Sequence, residues 1–183
     1  MLIFKLLAEL LDYPGEALVS DLREFVKGHG GSAPAVAALD PQRVFAATEH
    51  AAIAHFVDWM LGEDQTELEA NYVKTFDMVP EHSLHLTHHL FGDDKNRGPA
   101  LIDLSEFYKS YGLQHEEREI PDFLPMMLEF VSQLDVEEAR VFLADAARIF
   151  QVLASNLESA DSPYAALVRI IENHASLARL ATA

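Results

Sequence analysis

Apolar residues in this chain recur at three- and four-residue spacings almost from end to end, and the two-residue alternation of a half-buried strand is nearly absent. A chain patterned this way can bury its apolar faces only by laying helix on helix. Proline and glycine divide the pattern into segments. A first helix is expected from about Leu2 to Leu11, stopped by Tyr13-Pro14-Gly15. A second carries Leu18, Val19, Leu22, Phe25 and Val26 inward and ends at Gly28, Gly30 and Gly31. Asp40-Pro41 reads as an N-cap followed by proline at the first helical position, with a third helix running to Met60. Thr66 and Glu69 have capping-box spacing for a fourth helix that Pro80 ends.

The stretch from Ser83 to Phe91 reads as a short helix or turn, followed by a polar loop from Gly92 to Gly98. Pro99 opens a fifth helix with Leu101, Leu104, Tyr108 and Tyr111 spaced for burial, capped by Gly112. A charged link, Gln114 to Glu119, leads to a helix through Leu134. Asp135 and Glu138 make another box-like start, and Val141, Phe142, Ala146, Ile149, Phe150 and Leu153 form one long apolar stripe. Ser162-Pro163 starts the last helix, which runs nearly to Ala183. The expected fold is all-α, a single domain over residues 1–183 built as a compact bundle of about eight helices.

The apolar N-terminus is too short and too charged to span a bilayer, which takes about 20 apolar residues. It has no basic n-region or small-residue cleavage site and reads as the first amphipathic helix. The absence of cysteine excludes disulfides, thiolate metal sites and cysteine nucleophiles, and fits a cytoplasmic protein. A formal charge of −17 repels nucleic acid and anionic membranes and favours a basic partner. It serves solubility equally well.

Histidines 82, 85, 88 and 89 crowd together. His85 and His89 would share one face of a helix, a spacing able to place two imidazoles on one metal ion. No glutamate lies between them and no third ligand is dictated, so metal binding by His82, His85, His88 and His89 stands as the alternative reading. Imidazoles bonded to backbone near a turn are the plainer one. Phosphate-cradling glycine loops and nucleophile elbows are absent. The expectation is no catalysis, no stoichiometric metal and no stably bound cofactor.

Two further stretches exceed what packing demands. Asn71 to Asp77, with Ser83-Leu84-His85-Leu86 close behind, sets aromatic, hydroxyl and imidazole groups beside a helix end. Ile120 to Phe130 places two prolines and Asp122 at a helix start, followed by Met126 and Met127, adaptable apolar residues of the kind found in peptide grooves. Asp122 has two competing roles: a cap or first-turn acid for that helix, or a groove carboxylate for a partner's arginine.

Taken in order, YVKTFD (72–77), SLHLTHH (83–89), NRGPALIDL (96–104) and IPDFLPMMLEF (120–130) resemble the redox-enzyme maturation chaperones of the NarJ/TorD type, on the nitrate reductase delta-subunit side. The resemblance covers about residues 1–155. It implies an all-α cytoplasmic chaperone that binds the apo catalytic subunit of a molybdenum oxidoreductase, often through its N-terminal or twin-arginine leader segment. That partner would be held while molybdopterin guanine dinucleotide is inserted. Such proteins are not enzymes and keep no cofactor, and neither nucleic acid nor membrane insertion is implied. The client and the oligomeric state are not readable.

Carried over by position, Tyr72, Phe76 and Asp77 match one element, and Ser83, Leu84, His85 and His89 a second. Arg97, Gly98 and Asp103 match a third, and Pro121, Asp122, Leu124, Pro125 and Glu129 a fourth. With Phe123, these are the candidates for client binding. Phe123 stands where the trimethylamine-oxide and dimethyl-sulfoxide branch carries histidine, which argues against any role needing an imidazole there. Met78-Val79-Pro80-Glu81-His82 departs from the Arg- and Ser-rich stretch of the nitrate reductase chaperones, leaving a related molybdoenzyme open as the client.

Overall fold

The computed structural model describes residues 1–92, 94–111 and 120–181, with side chains to Ser176, and most of these lie in eleven α-helices, one π-helical stretch and one 3-10 turn. The helices are α1 (Leu2–Leu10), α2 (Glu16–His29), α3 (Ser32–Ala38), α4 (Ala47–Gly62), α5 (Gln65–Tyr72) and α6 (Leu86–Phe91). They continue with α7 (Arg97–Ser110), α8 (Leu124–Gln133), α9 (Val136–Ala144), α10 (Ala147–Ser159) and α11 (Ala165–Ala181). None is long and apolar enough to cross a membrane.

α1 is apolar on nearly every side because six of its residues are buried, and it lies along α8. α11 fills the angle between α9 and α10 and also touches α4. One continuous apolar core joins these elements, with Leu7, Met60, Leu68, Leu128, Phe150 and Tyr164 among its enclosed members. Burying a side chain of this size contributes about 1.5–3 kcal/mol. At its centre the Tyr164 ring touches Phe56, Trp59, Tyr72 and Phe76, with centroids 4.8–6.0 Å apart.

The expectation of about eight helices is corrected to eleven among the described residues, for local reasons. Gly30, at φ 80°, ends α2 while the Gly31 N–H closes back on the Val26 carbonyl. The chain then makes the extra helix α3. Asp40 does not cap a helix at Pro41. Its buried carboxylate accepts the Val44 and Phe45 N–H groups and the His50 ring, tying off a turn so that α4 begins only at Ala47. Asp64, not Thr66, caps α5 by accepting the Thr66 N–H.

α7 opens at Arg97, ahead of Pro99, and Tyr108 is buried while Tyr111 is half exposed. The Asp135–Glu138 capping box forms reciprocally as its spacing predicts. The long stripe after it breaks at Asp145, which resets the helical phase: Ala139 and Leu143 face the core and Val141 points to solvent. Gly112 and the link from Gln114 to Glu119 lie outside the described residues.

Candidate functional site

Three of the four motifs meet at a single carboxylate. Asp122 is wholly buried two residues before the start of the Pro125-containing helix α8. A short antiparallel backbone bridge holds its strand of chain beside the SLHL segment. The Leu86 N–H donates to the Asp122 carbonyl at 3.0 Å and the Leu124 N–H to the Leu84 carbonyl at 2.9 Å. The bridge brings the side chains of residues 37 positions apart into contact.

The Asp122 side chain then closes the junction. Its Oδ2 accepts the Thr87 N–H at 2.9 Å and the Thr87 hydroxyl, and the Arg97 guanidinium stands 3.6 Å away. Arg97 Nε also donates to the Thr87 hydroxyl oxygen at 2.9 Å. On the other oxygen, the His85 ring donates through Nδ1 at 3.3 Å. Thr87 is the second residue of α6, so its N–H is one of those a helix start leaves unpaired. Asp122 therefore acts as an N-cap supplied from a distant part of the chain: it caps α6, not its own α8, and its nearest cation is the chain's own Arg97. Tyr108 completes the junction from α7 by donating its hydroxyl to the Pro121 carbonyl at 2.9 Å.

Burial works to raise the Asp122 pKa, but the hydrogen bonds from His85 and Thr87 outweigh it and hold the carboxyl below its ordinary value. Burial, with the Asp122 charge added, pushes the Tyr108 hydroxyl well up, so it remains a donor. The cluster is thus a carboxylate facing the Thr87 hydroxyl, an imidazole and a guanidinium, with the Tyr108 hydroxyl on the neighbouring Pro121 carbonyl. It has the parts of a joint between α6, α7 and α8, without a nucleophile and base aligned on an open cavity.

Part of the junction reaches the surface. The side chains of His85 and Arg97 are 34% and 27% exposed, and Phe123 is half-buried with its ring 5.1 Å from that of His85. His89 turns back to donate to the Ser83 carbonyl at 2.7 Å, while the Ser83 hydroxyl accepts the His85 N–H. The helix face expected to carry His85 and His89 together does not form: His85 precedes α6 and turns to Asp122. His82 is buried and donates to the Thr75 carbonyl at 3.1 Å. Among the described residues no three histidine or carboxylate side chains converge as a metal ion requires.

The remaining candidates lie elsewhere. Tyr72 donates its hydroxyl to the Leu11 carbonyl and, with Phe76, belongs to the aromatic nest around Tyr164. Asp77 is exposed at the end of the π-helical stretch Val73–Asp77, and Asp103 is exposed on α7. Glu129 is exposed on α8, where its charge is felt by Glu9 of α1. Thr87 and Tyr108 were not among the expected site residues. Nothing in the local sequence marks Thr87, whose partner lies 35 residues away.

A family model described as nitrate reductase delta subunit matches residues 42–169. The nitrate reductase molybdenum cofactor assembly chaperone NarJ of Escherichia coli K12 is 32% identical over 93% of this chain and 68% of its own length. The probable chaperone of the same name from Bacillus subtilis is 33% identical over 65% of each chain. The probable chaperone NarW of E. coli K12 is 32% identical over 63% of this chain and 50% of its own length. With its four motifs in order and three of them joined at Asp122, the chain belongs to the nitrate reductase delta subunit family, that of the NarJ-type maturation chaperones.

Proposed function

We propose that this protein is a single-domain cytoplasmic chaperone for the catalytic subunit of a molybdenum oxidoreductase. It would bind the apo subunit by its N-terminal or leader segment while molybdopterin guanine dinucleotide is inserted. The client is nitrate reductase or a related molybdoenzyme, and the cofactor belongs to the client. The observation that carries the reading is the convergence of SLHLTHH, NRG and IPDF on Asp122. A catalytic centre would aim such groups at a cavity. Here they are spent on one another, which suits a scaffold that presents a surface. In this reading Asp122, Tyr72 and Phe76 position that surface. His85, His89, Phe123 and Arg97 form its client-facing part together with Ser83 and Pro121, and Asp77, Asp103 and Glu129 add exposed carboxylates.

The test is the molybdenum content of the client in cells lacking this chain. We expect the catalytic subunit to accumulate without cofactor, to be restored by the wild-type gene, and to co-purify with the chain only before it is loaded. A fully loaded, active client in such cells would sink the proposal.

A second expectation concerns salt. The chain carries 30 acidic and 13 basic residues, so a basic leader is drawn partly by charge. Calorimetric titration with the client's N-terminal peptide should show weaker binding as ionic strength rises, because exposed charges are screened over ~8–10 Å at physiological salt. An affinity indifferent to salt would assign the interaction to apolar contacts alone.

A further inference from the structure

α4 runs into α5 through a turn at Glu63-Asp64, and the two helices flank a cleft of about 240 Å³. Trp59 and Glu63, at the end of α4, make one wall. Glu67, Ala70, Asn71 and Lys74 make the other, at three- and four-residue steps along α5 and the π-helical stretch that continues it. Trp59 is half-buried. The buried rings of Phe56 and Tyr164, with centroids 5.1 and 5.8 Å from its own, back it and fix the indole in place.

The cleft is polarised. Of the acids around the turn, Asp64 is spent on the Thr66 N–H and Glu69 on the Gln65 amide. Glu63 and Glu67 are exposed and, among the described residues, take no hydrogen bond or ion pair. Both stand at the turn end. Lys74 is exposed and equally unpaired, about 10 Å farther along the helix than Glu67 at ~1.5 Å per residue. That is roughly twice the i,i+3 or i,i+4 spacing at which a lysine pairs with a glutamate. Two carboxylates thus lie at one end and one ammonium at the other, with the Trp59 indole and the Asn71 amide between them.

The chemistry of an occupant follows from these walls. Carboxylates beside an indole favour an organic cation, which gains from the ring face as well as from the opposite charge. The Lys74 ammonium and the Asn71 amide offer donors to an anion. The volume lies below the ~300–1,000 Å³ of common binding clefts, so the cleft has room for a small molecule only.

We propose that the α4–α5 cleft binds a small dipolar ion, with an organic ammonium on Trp59, Glu63 and Glu67 and a carboxylate on Lys74 and Asn71. The site shares no residue with the Asp122 junction, and its test does not depend on the chaperone reading.

Trp59 is the only tryptophan of the chain, so its fluorescence reports on the cleft. The probe is γ-butyrobetaine. Two relatives each lack one of its charges: the methyl ester has no carboxylate, and the carbon isostere has a tert-butyl group in place of the trimethylammonium. Titrated into the full chain at constant ionic strength, the probe should change the Trp59 emission saturably, with calorimetry giving one site per chain. The ester should bind several-fold more weakly and the isostere not at all. Glu63→Gln/Glu67→Gln should weaken binding of the probe about tenfold or more. Lys74→Gln should weaken the probe several-fold and leave the ester bound as tightly as before. All three positions are exposed, so the variants should melt with the wild type. The proposal is overturned by an emission that does not saturate, by equal binding of the isostere, or by wild-type affinity in the double glutamate variant. An equal loss for probe and ester in Lys74→Gln overturns it too.

Discussion

Replacing Asp122 with alanine is expected to cost about 2–4 kcal/mol of folding stability, or a fall of roughly 5–15 °C in Tm for a domain of this size. The substitution strips a carboxylate from the Thr87 N–H, the Thr87 hydroxyl, the His85 ring and the Arg97 guanidinium at once. Breaking a fully buried pair costs about 3–5 kcal/mol, but the Arg97 and His85 side chains are about a third exposed and can turn to water, so the lower range applies. Asp122→Asn keeps one carbonyl acceptor for Thr87 and should cost about 1–2 kcal/mol. In the double variant with Arg97→Ala, the losses should be less than additive, because each substitution removes the same contact.

Acid supplies a second test of Asp122. Its folded pKa is depressed, so its stabilising effect is complete above the ordinary aspartate value of about 3.9 and is lost as pH falls through the lower folded value. The stability gap between wild type and Asp122→Ala should therefore stay level from neutral pH to about 4 and close below it. A variant that melts within ~2 °C of wild type would show that the junction does not depend on this carboxylate.

Phe76→Ala is expected to have an effect as large, about 3–5 kcal/mol and roughly 6–20 °C in Tm. Phe76 is 6% exposed, with its ring 4.9 Å from that of Tyr72 and 4.8 Å from that of Tyr164. Truncation leaves a cavity in the aromatic nest that rigid neighbours close only in part. Phe76→Leu, which refills most of the volume, should recover most of the loss. Calorimetric melting checks both. A small loss of stability in Phe76→Ala, paired with a large loss of client affinity, would move Phe76 from the core to the client-binding face.

The two substitutions also mark how far local pattern reaches. Helix faces such as Leu18, Val19 and Leu22 on α2, and the reciprocal cap of Asp135 and Glu138, are legible because helical period and capping chemistry act within a turn or two of the chain. Asp40 and Asp64 show the same reasoning failing by a few residues. Several acceptors compete for the same free N–H groups there, and the burial of Asp40 beside His50 decides the outcome. Val141 misled for a different reason: an uninterrupted apolar stripe carries no mark of the break at Asp145 that turns it outward.

The all-α class and the boundaries set by Pro14, Gly30 and Asp135 were properties of the amino-acid sequence alone, since they rest on backbone preferences and on a periodicity that needs no distant partner. So were the four motifs, as residue types in a fixed order. What Asp122 does was decided only by the tertiary structure. The backbone bridge between Leu84–Leu86 and Asp122–Leu124 carries the carboxylate to the unpaired amide of Thr87 and to Arg97, and excludes the water that would otherwise satisfy it.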